Sequence, residues 1–208
     1  MNILRNALLC VLLLAGNVAS ASPLLAEAEG DLDRDGMAER VTVENIPPSR
    51  ASAPPAGQRV INIYRRHGTQ WQLWHSASGA VMSEGSGGML GDAFDNLTIE
   101  RGCLVIRHYG GGGDARWGMT HRYRYDQGRW RLIGATIEHT ELYSSRRILD
   151  FNLATGKAIY TESRQDDSGQ DHPTYSVTWH VAVEPVPLGY TPSSQQLRIP
   201  GRSFSISY

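Results

Sequence analysis

Asp31, Asp33, Asp35 and Glu39 crowd four carboxylates into the nine residues Asp31-Leu32-Asp33-Arg34-Asp35-Gly36-Met37-Ala38-Glu39. Calcium takes hard oxygen ligands in a flexible shell. Acids at alternate positions let one tight loop turn Asp31, Asp33 and Asp35 inward. Gly36 follows where the chain must bend sharply, a place that suits a residue without a Cβ. Met37 then offers its carbonyl oxygen, and Glu39 a further carboxylate, directly or through water. Without a cation these acids repel one another, and ion binding offsets that cost. The plainer alternative is a solvated Asp/Gly surface turn.

The loop is not an EF-hand. Its twelfth position is Thr42, where that motif needs a bidentate glutamate. The following Arg40-Val41-Thr42-Val43-Glu44-Asn45-Ile46 alternates as a strand does and lacks helical spacing. The pattern D-x-D-x-D-G-x-x-[DE] running into a strand resembles the cation loops of FG-GAP and VCBS blades in integrin-like β-propellers. That resemblance implies a bound calcium. Glu39 departs from the aspartate usual at the last position by one methylene.

A second set of candidates lies in the middle of the chain. The run Gly110-Gly111-Gly112-Gly113-Asp114-Ala115-Arg116-Trp117 is glycine-rich but lacks the Lys-Ser/Thr ending and following helix of a phosphate loop. As a mobile lip it would display Arg116 and Trp117, both frequent interface anchors. In His121-Arg122-Tyr123-Arg124-Tyr125, alternation puts His121, Tyr123 and Tyr125 on one face and the arginines on the other. Tyr123 and Tyr125 on a concave sheet would stack on a sugar or peptide. The competing reading makes Trp117 and these aromatics ordinary core. Arg129, Arg131, Arg146 and Arg147 would extend the basic face unless paired with acids.

Catalysis has a thinner basis. His108, Asp114 and His121 lie close in sequence and include a base and an orienting carboxylate. No Gly-x-Ser-x-Gly, His-Glu-x-x-His or paired-cysteine motif accompanies them, and the seven histidines lack metal-ligand spacing. These residues alone therefore assign no catalytic group.

The elements that must position these residues are strands. Arg59 to Arg66 and Trp71 to His75 predict a hairpin around His67-Gly68-Thr69-Gln70. Leu97 to Tyr109 predicts another, Met119 to Tyr125 and Trp130 to Glu138 a third turning at Asp126-Gln127-Gly128-Arg129, and Ile148 to Tyr160 a fourth. Tyr175 to Val183 is a further strand, and the tail to Tyr208 offers edge strands. Residues 47–57, rich in proline and small side chains, predict an exposed connection. Only one cation loop occurs, and no repeat supports the several blades of a whole propeller.

Residues 1–21 have the makings of an export signal: Arg5, an apolar stretch from Ala7 to Ala15, and Ala19-Ser20-Ala21 as the cleavage site. Residues 22–208 are then one exported domain, with no stable membrane insertion after signal removal. Cys10 leaves with the signal, so Cys103 has no partner for an intramolecular disulfide and is expected to be a small core residue. A formal net charge of −1 with scattered basic residues argues against nucleic acid as a partner.

Gly-Gly-x-x-Gly-Asp-x-Phe, then Tyr-Gly-Gly with Arg-Trp, then Tyr-Arg-Tyr, Leu-Ile-Gly-Ala-Thr and Asp-Phe-Asn-Leu-x-Thr-Gly-Lys resemble a family of small exported bacterial proteins. The resemblance spans roughly residues 30 to 160 and implies a β-rich exported domain, with no reaction attached. The expectation is therefore all-β: an antiparallel sandwich or compact curved sheet with a single propeller-blade-like calcium loop. Its expected role is a binding or inhibitory module in the periplasm or outside the cell, acting on an envelope protein or glycan. The alternative is a hydrolase of envelope polymers working through His108 or His121.

Overall fold

Alternation of β-branched with polar residues sets the first sheet. Val41 and Val43 of β2 (Glu39–Asn45), with Ile61 and Ile63 of β3 (Arg59–His67), point to one face and are buried. The computed structural model describes residues 24–46 and 57–208; the expected export signal, Cys10 and residues 47–56 of the connection lie outside them. β1 (Leu24–Gly30) and β4 (Gln70–Ser78) complete an antiparallel sheet in the order β1-β2-β3-β4. Ala26 and Ala28 of β1 face inward beside Val43 and Val41, while Glu27 turns outward and pairs with Arg40.

The second sheet has seven antiparallel strands laid down in chain order. They are β5 (Phe94–Glu100), β6 (Cys103–Gly112), β7 (Ala115–Asp126), β8 (Arg129–Glu141), β9 (Ser145–Asn152), β10 (Lys157–Gln165) and β11 (Asp171–His180). Two of its connections are two-residue turns with φ positive at both positions, Arg101-Gly102 (53° and 72°) and Gln127-Gly128 (51° and 78°). That is the type I′ geometry whose twist suits a hairpin. A short pair, β12 (Gln196–Arg198) and β13 (Ser205–Ser207), ends the chain.

The inner face of the large sheet is covered in two halves. Over β5 to β8 lies the four-stranded sheet: Trp74 meets Tyr125 edge-on at 4.5 Å and Trp130 at 5.6 Å. A Cβ on Gly30 would sit 2.7 Å from Ile99, so β1 approaches β5 closely. Over β9 to β11 lies the C-terminal segment, with Tyr208 on Phe151 at 5.3 Å and Phe204 on Tyr160 at 6.2 Å. One apolar core runs through both halves. The chain is thus all-β and antiparallel, not closed into a barrel, with no helix among the described residues. No helix there is long and apolar enough to cross a membrane. Cys103 differs from expectation: it is half-buried at the start of β6, and Leu104 takes the core position.

Candidate cation loop and the interior beside it

The acidic loop is the connection between β1 and β2, whose last register pair is Gly30 with Glu39. Fully buried Leu32 plugs it into the core. Its acids fold it by accepting from its own backbone. Asp31 accepts from Arg34 N at 2.6 Å and Gly36 N at 3.1 Å, Asp33 from Asp35 N at 3.2 Å, and Asp35 from Met37 N at 2.8 Å. Arg34 and Gly36 take positive φ (68° and 87°), which lets the chain coil this tightly.

The coil brings three of the five expected ligands together. Asp31, Asp33 and Glu39 each offer an oxygen within 4.8 Å of the others. Asp35 is not part of this group, and the Met37 side chain is exposed. Glu39 is only 2 % exposed, and Leu32 N donates to it at 2.7 Å. Burial raises the Glu39 pKa above the usual carboxylate range; the Leu32 amide opposes the rise, and Asp33 and Asp35 add to it. A nearby supply of positive charge opposes the rise as well.

Part of that supply is Arg65, which the sequence reading did not single out. Its guanidinium pairs with Asp33, its Nε lies 3.9 Å from Glu39, and its Cζ stacks 3.3 Å from the Trp74 ring centroid. Arg65 reaches the loop across the sheet from β3, a long-range pairing that no local spacing reveals. The donor set that remains, three carboxylates with one cation at its edge, fits a hard divalent ion such as calcium.

The other candidates are dispersed. Gly110, Gly111 and Gly112 belong to β6 rather than to a free lip, and Arg116 and Trp117 alternate across β7. Arg116 curls back onto the carbonyls of Gly113 and Ala115 at 2.6 and 2.9 Å. Trp117 lies over Gly110, where a Cβ would come within 2.6 Å of the indole and 2.8 Å of the Gly87 carbonyl. The expected shared surface of Arg116 and Trp117 is not formed.

Tyr123 and Tyr125 do share a face with His121, but that face is covered by the smaller sheet. Tyr123 is fully buried with its hydroxyl unpartnered among the described residues, and burial pushes its pKa up. Tyr125 packs among Trp74, Trp130 and Arg65. Neither tyrosine is laid out for an external sugar or peptide to stack on.

His108 and His121 are 2 % and 0 % exposed, their rings 6.4 Å apart. His108 Nε2 accepts from Met82 N at 3.1 Å, while its Nδ1 and both His121 nitrogens lack partners among the described residues. Burial lowers the His108 pKa to about 3, aided by His121 and Arg59, and burial alone lowers that of His121 to about 4. Asp114 sits exposed at the β6–β7 turn. The acid nearest His108 in electrostatic effect is Asp92, held by buried Arg59, which also donates to Met82 O at 2.8 Å. Comparison with protein-family models, curated proteins and solved structures finds no match to this chain.

Proposed function

We propose that the chain is an exported calcium-binding β domain that works by binding a partner in the cell envelope, a protein or glycan, rather than by turnover. The observation that carries the metal reading is the convergence of Asp31, Asp33 and Glu39 within 4.8 Å, with Glu39 buried at the junction of loop and sheet. Asp31, Asp33 and Glu39 would hold the ion through carboxylate oxygens. Its charge would relieve the repulsion that one arginine only partly offsets.

The binding reading rests on what the interior withholds from a substrate. His108 and His121 are enclosed between two sheets, so a polymer has no route to either imidazole. Isothermal titration of the mature chain with calcium is expected to show one saturable site, absent in Asp33→Asn. Equal heats for the two proteins, or none above dilution, would overturn the metal assignment. Capture of envelope protein or glycan by the immobilised folded chain tests the partner; recovery of neither removes the binding role.

A further inference from the structure

Five side chains form one cross-strand row on the inner face of the large sheet. Register pairs Trp117 of β7 with His139 of β8, His139 with Arg147 of β9, Arg147 with Glu162 of β10, and Glu162 with Tyr175 of β11. Paired residues in neighbouring strands project to the same side. The C-terminal segment passes over this row without closing on it. An open cleft of about 580 Å³ remains, walled by Trp117, His139, Arg147, Phe204 and the serines of the tail. That volume is within the range of small-molecule sites.

Arg147 is the only formally charged side chain on those walls. Its neighbours are fully engaged. Arg146 binds Glu138 at 2.8 and 2.9 Å and Asp171 at 2.9 Å, while Arg202 binds Glu162 through two bonds of 2.8 Å. Glu162 also accepts from Tyr160 at 2.7 Å; Arg147 lies beyond ion-pair distance of it, although the Arg147 charge adds to the lowering of the Glu162 pKa. Among the described residues Arg147 has no hydrogen bond and no ion pair; its guanidinium rests 5.8 Å from the Phe204 ring centroid. Burial, then the Arg147 charge, holds His139 below its ordinary range, so the imidazole is a neutral hydrogen-bonding wall. Ser193 is committed to Met119 Sδ at 3.4 Å, whereas the Ser205 and Ser207 side chains have no hydrogen-bond partner among the described residues.

We infer that this cleft binds a small carboxylic acid with an aromatic body, its carboxylate on Arg147 and its ring between Trp117 and Phe204. A planar guanidinium is matched in geometry to a carboxylate, and a two-point bond there is stronger than a neutral one. The apolar remainder of the ligand would meet Met82 and Met119, which also line the cleft. This goes beyond the binding reading, whose partner is a protein or glycan, and asks nothing of the acidic loop, so it stands or falls separately from both.

Indole-3-acetate is the probe, with indole-3-acetamide as its uncharged twin, titrated into the folded chain by NMR. The acid is expected to shift the Trp117 indole N–H saturably and to bind at least tenfold more tightly than the amide. Arg147→Gln, at a residue with no bonds to lose, is expected to weaken the acid at least tenfold at an unchanged melting temperature. Arg129→Gln, exposed on the β7–β8 hairpin, is expected to change nothing. No saturable shift, equal affinity for acid and amide, or full affinity in Arg147→Gln would each overturn the inference. Calcium binding would survive any of these outcomes.

Discussion

Lowering the pH should test the enclosed histidine pair, and the size of the effect follows from burial. Both imidazoles are neutral in the fold at pH 5, because burial holds His108 near 3 and His121 near 4. In the unfolded chain each titrates at its ordinary value of 6.5. A histidine with a depressed folded pKa contributes its full stability above pH 6.5 and loses it as the pH falls toward the folded value. Between pH 7.5 and 5 each therefore costs about 2 kcal/mol, a pKa unit being about 1.4 kcal/mol. The pair together costs about 4 kcal/mol, a large share of the roughly 5–15 kcal/mol that holds a domain folded. The melting temperature should fall by about 8–16 °C. Ordinary carboxylates titrate mainly below this window, and Glu39, raised by burial, acts equally in the parent and in a variant. His75 and His139, also lowered by burial, act equally in the parent and in a variant. The perturbation is His121→Leu, which removes an imidazole with no hydrogen bonds among the described residues and leaves an apolar group of similar size. Urea unfolding in chelator at pH 7.5 and 5.0 should show the drop reduced by about 2 kcal/mol in the variant. The same drop in both proteins would refute a buried, neutral His121.

Glu39→Gln should be nearly neutral in chelator, because burial already penalises the charge and Gln can still accept from Leu32 N. Calcium at a hundredfold its Kd should stabilise the parent by about 2.7 kcal/mol, or roughly 5–11 °C in melting temperature. The variant should gain less than half of that by calorimetry. Gly110→Ala should destabilise by about 1–3 kcal/mol in urea, since the added methyl has only the Trp117 indole and the Gly87 carbonyl to push against. Asp92→Ala should cost about 1.5–3 kcal/mol by the same assay, less than a fully buried pair because the Asp92 carboxylate is partly open to water. It strands the Arg59 guanidinium, whose side chain is 1 % exposed, without its acid. A loss below about 1 kcal/mol would mean the pair is solvated.

Much of the fold was legible where side-chain period and turn chemistry agreed. The alternation through Val41, Val43, Ile61 and Ile63, and the Gln127-Gly128 turn, correspond to observed strands and hairpin. β1 was not legible, because Leu-Leu-Ala-Glu-Ala-Glu is poor in the branched and aromatic residues that favour strands; pairing with β2 makes it one. The glycine run read as a loop because glycine usually marks one. Here Gly110 admits an indole, and at Gly111 the Ala115 carbonyl leaves no room for a Cβ. Period also placed His121, Tyr123 and Tyr125 on one face but carried no information on what covers it. The covering Trp74 comes from far along the chain. At the acidic loop, spacing found Asp31, Asp33 and Glu39, whereas Arg65 enters from a different strand.

The large sheet is a meander, and this bears on how the molecule assembles. Each of its ladders joins strands adjacent in the chain, so a hairpin such as β7–β8 needs only its own turn to begin. Growth can then spread outward one strand at a time without first closing a long stretch of chain. Proteins dominated by such near-neighbour pairings reach their native state sooner than Greek-key topologies of equal size. The slow step should be the later clasp, when the first sheet and the last residues come down on a surface already formed.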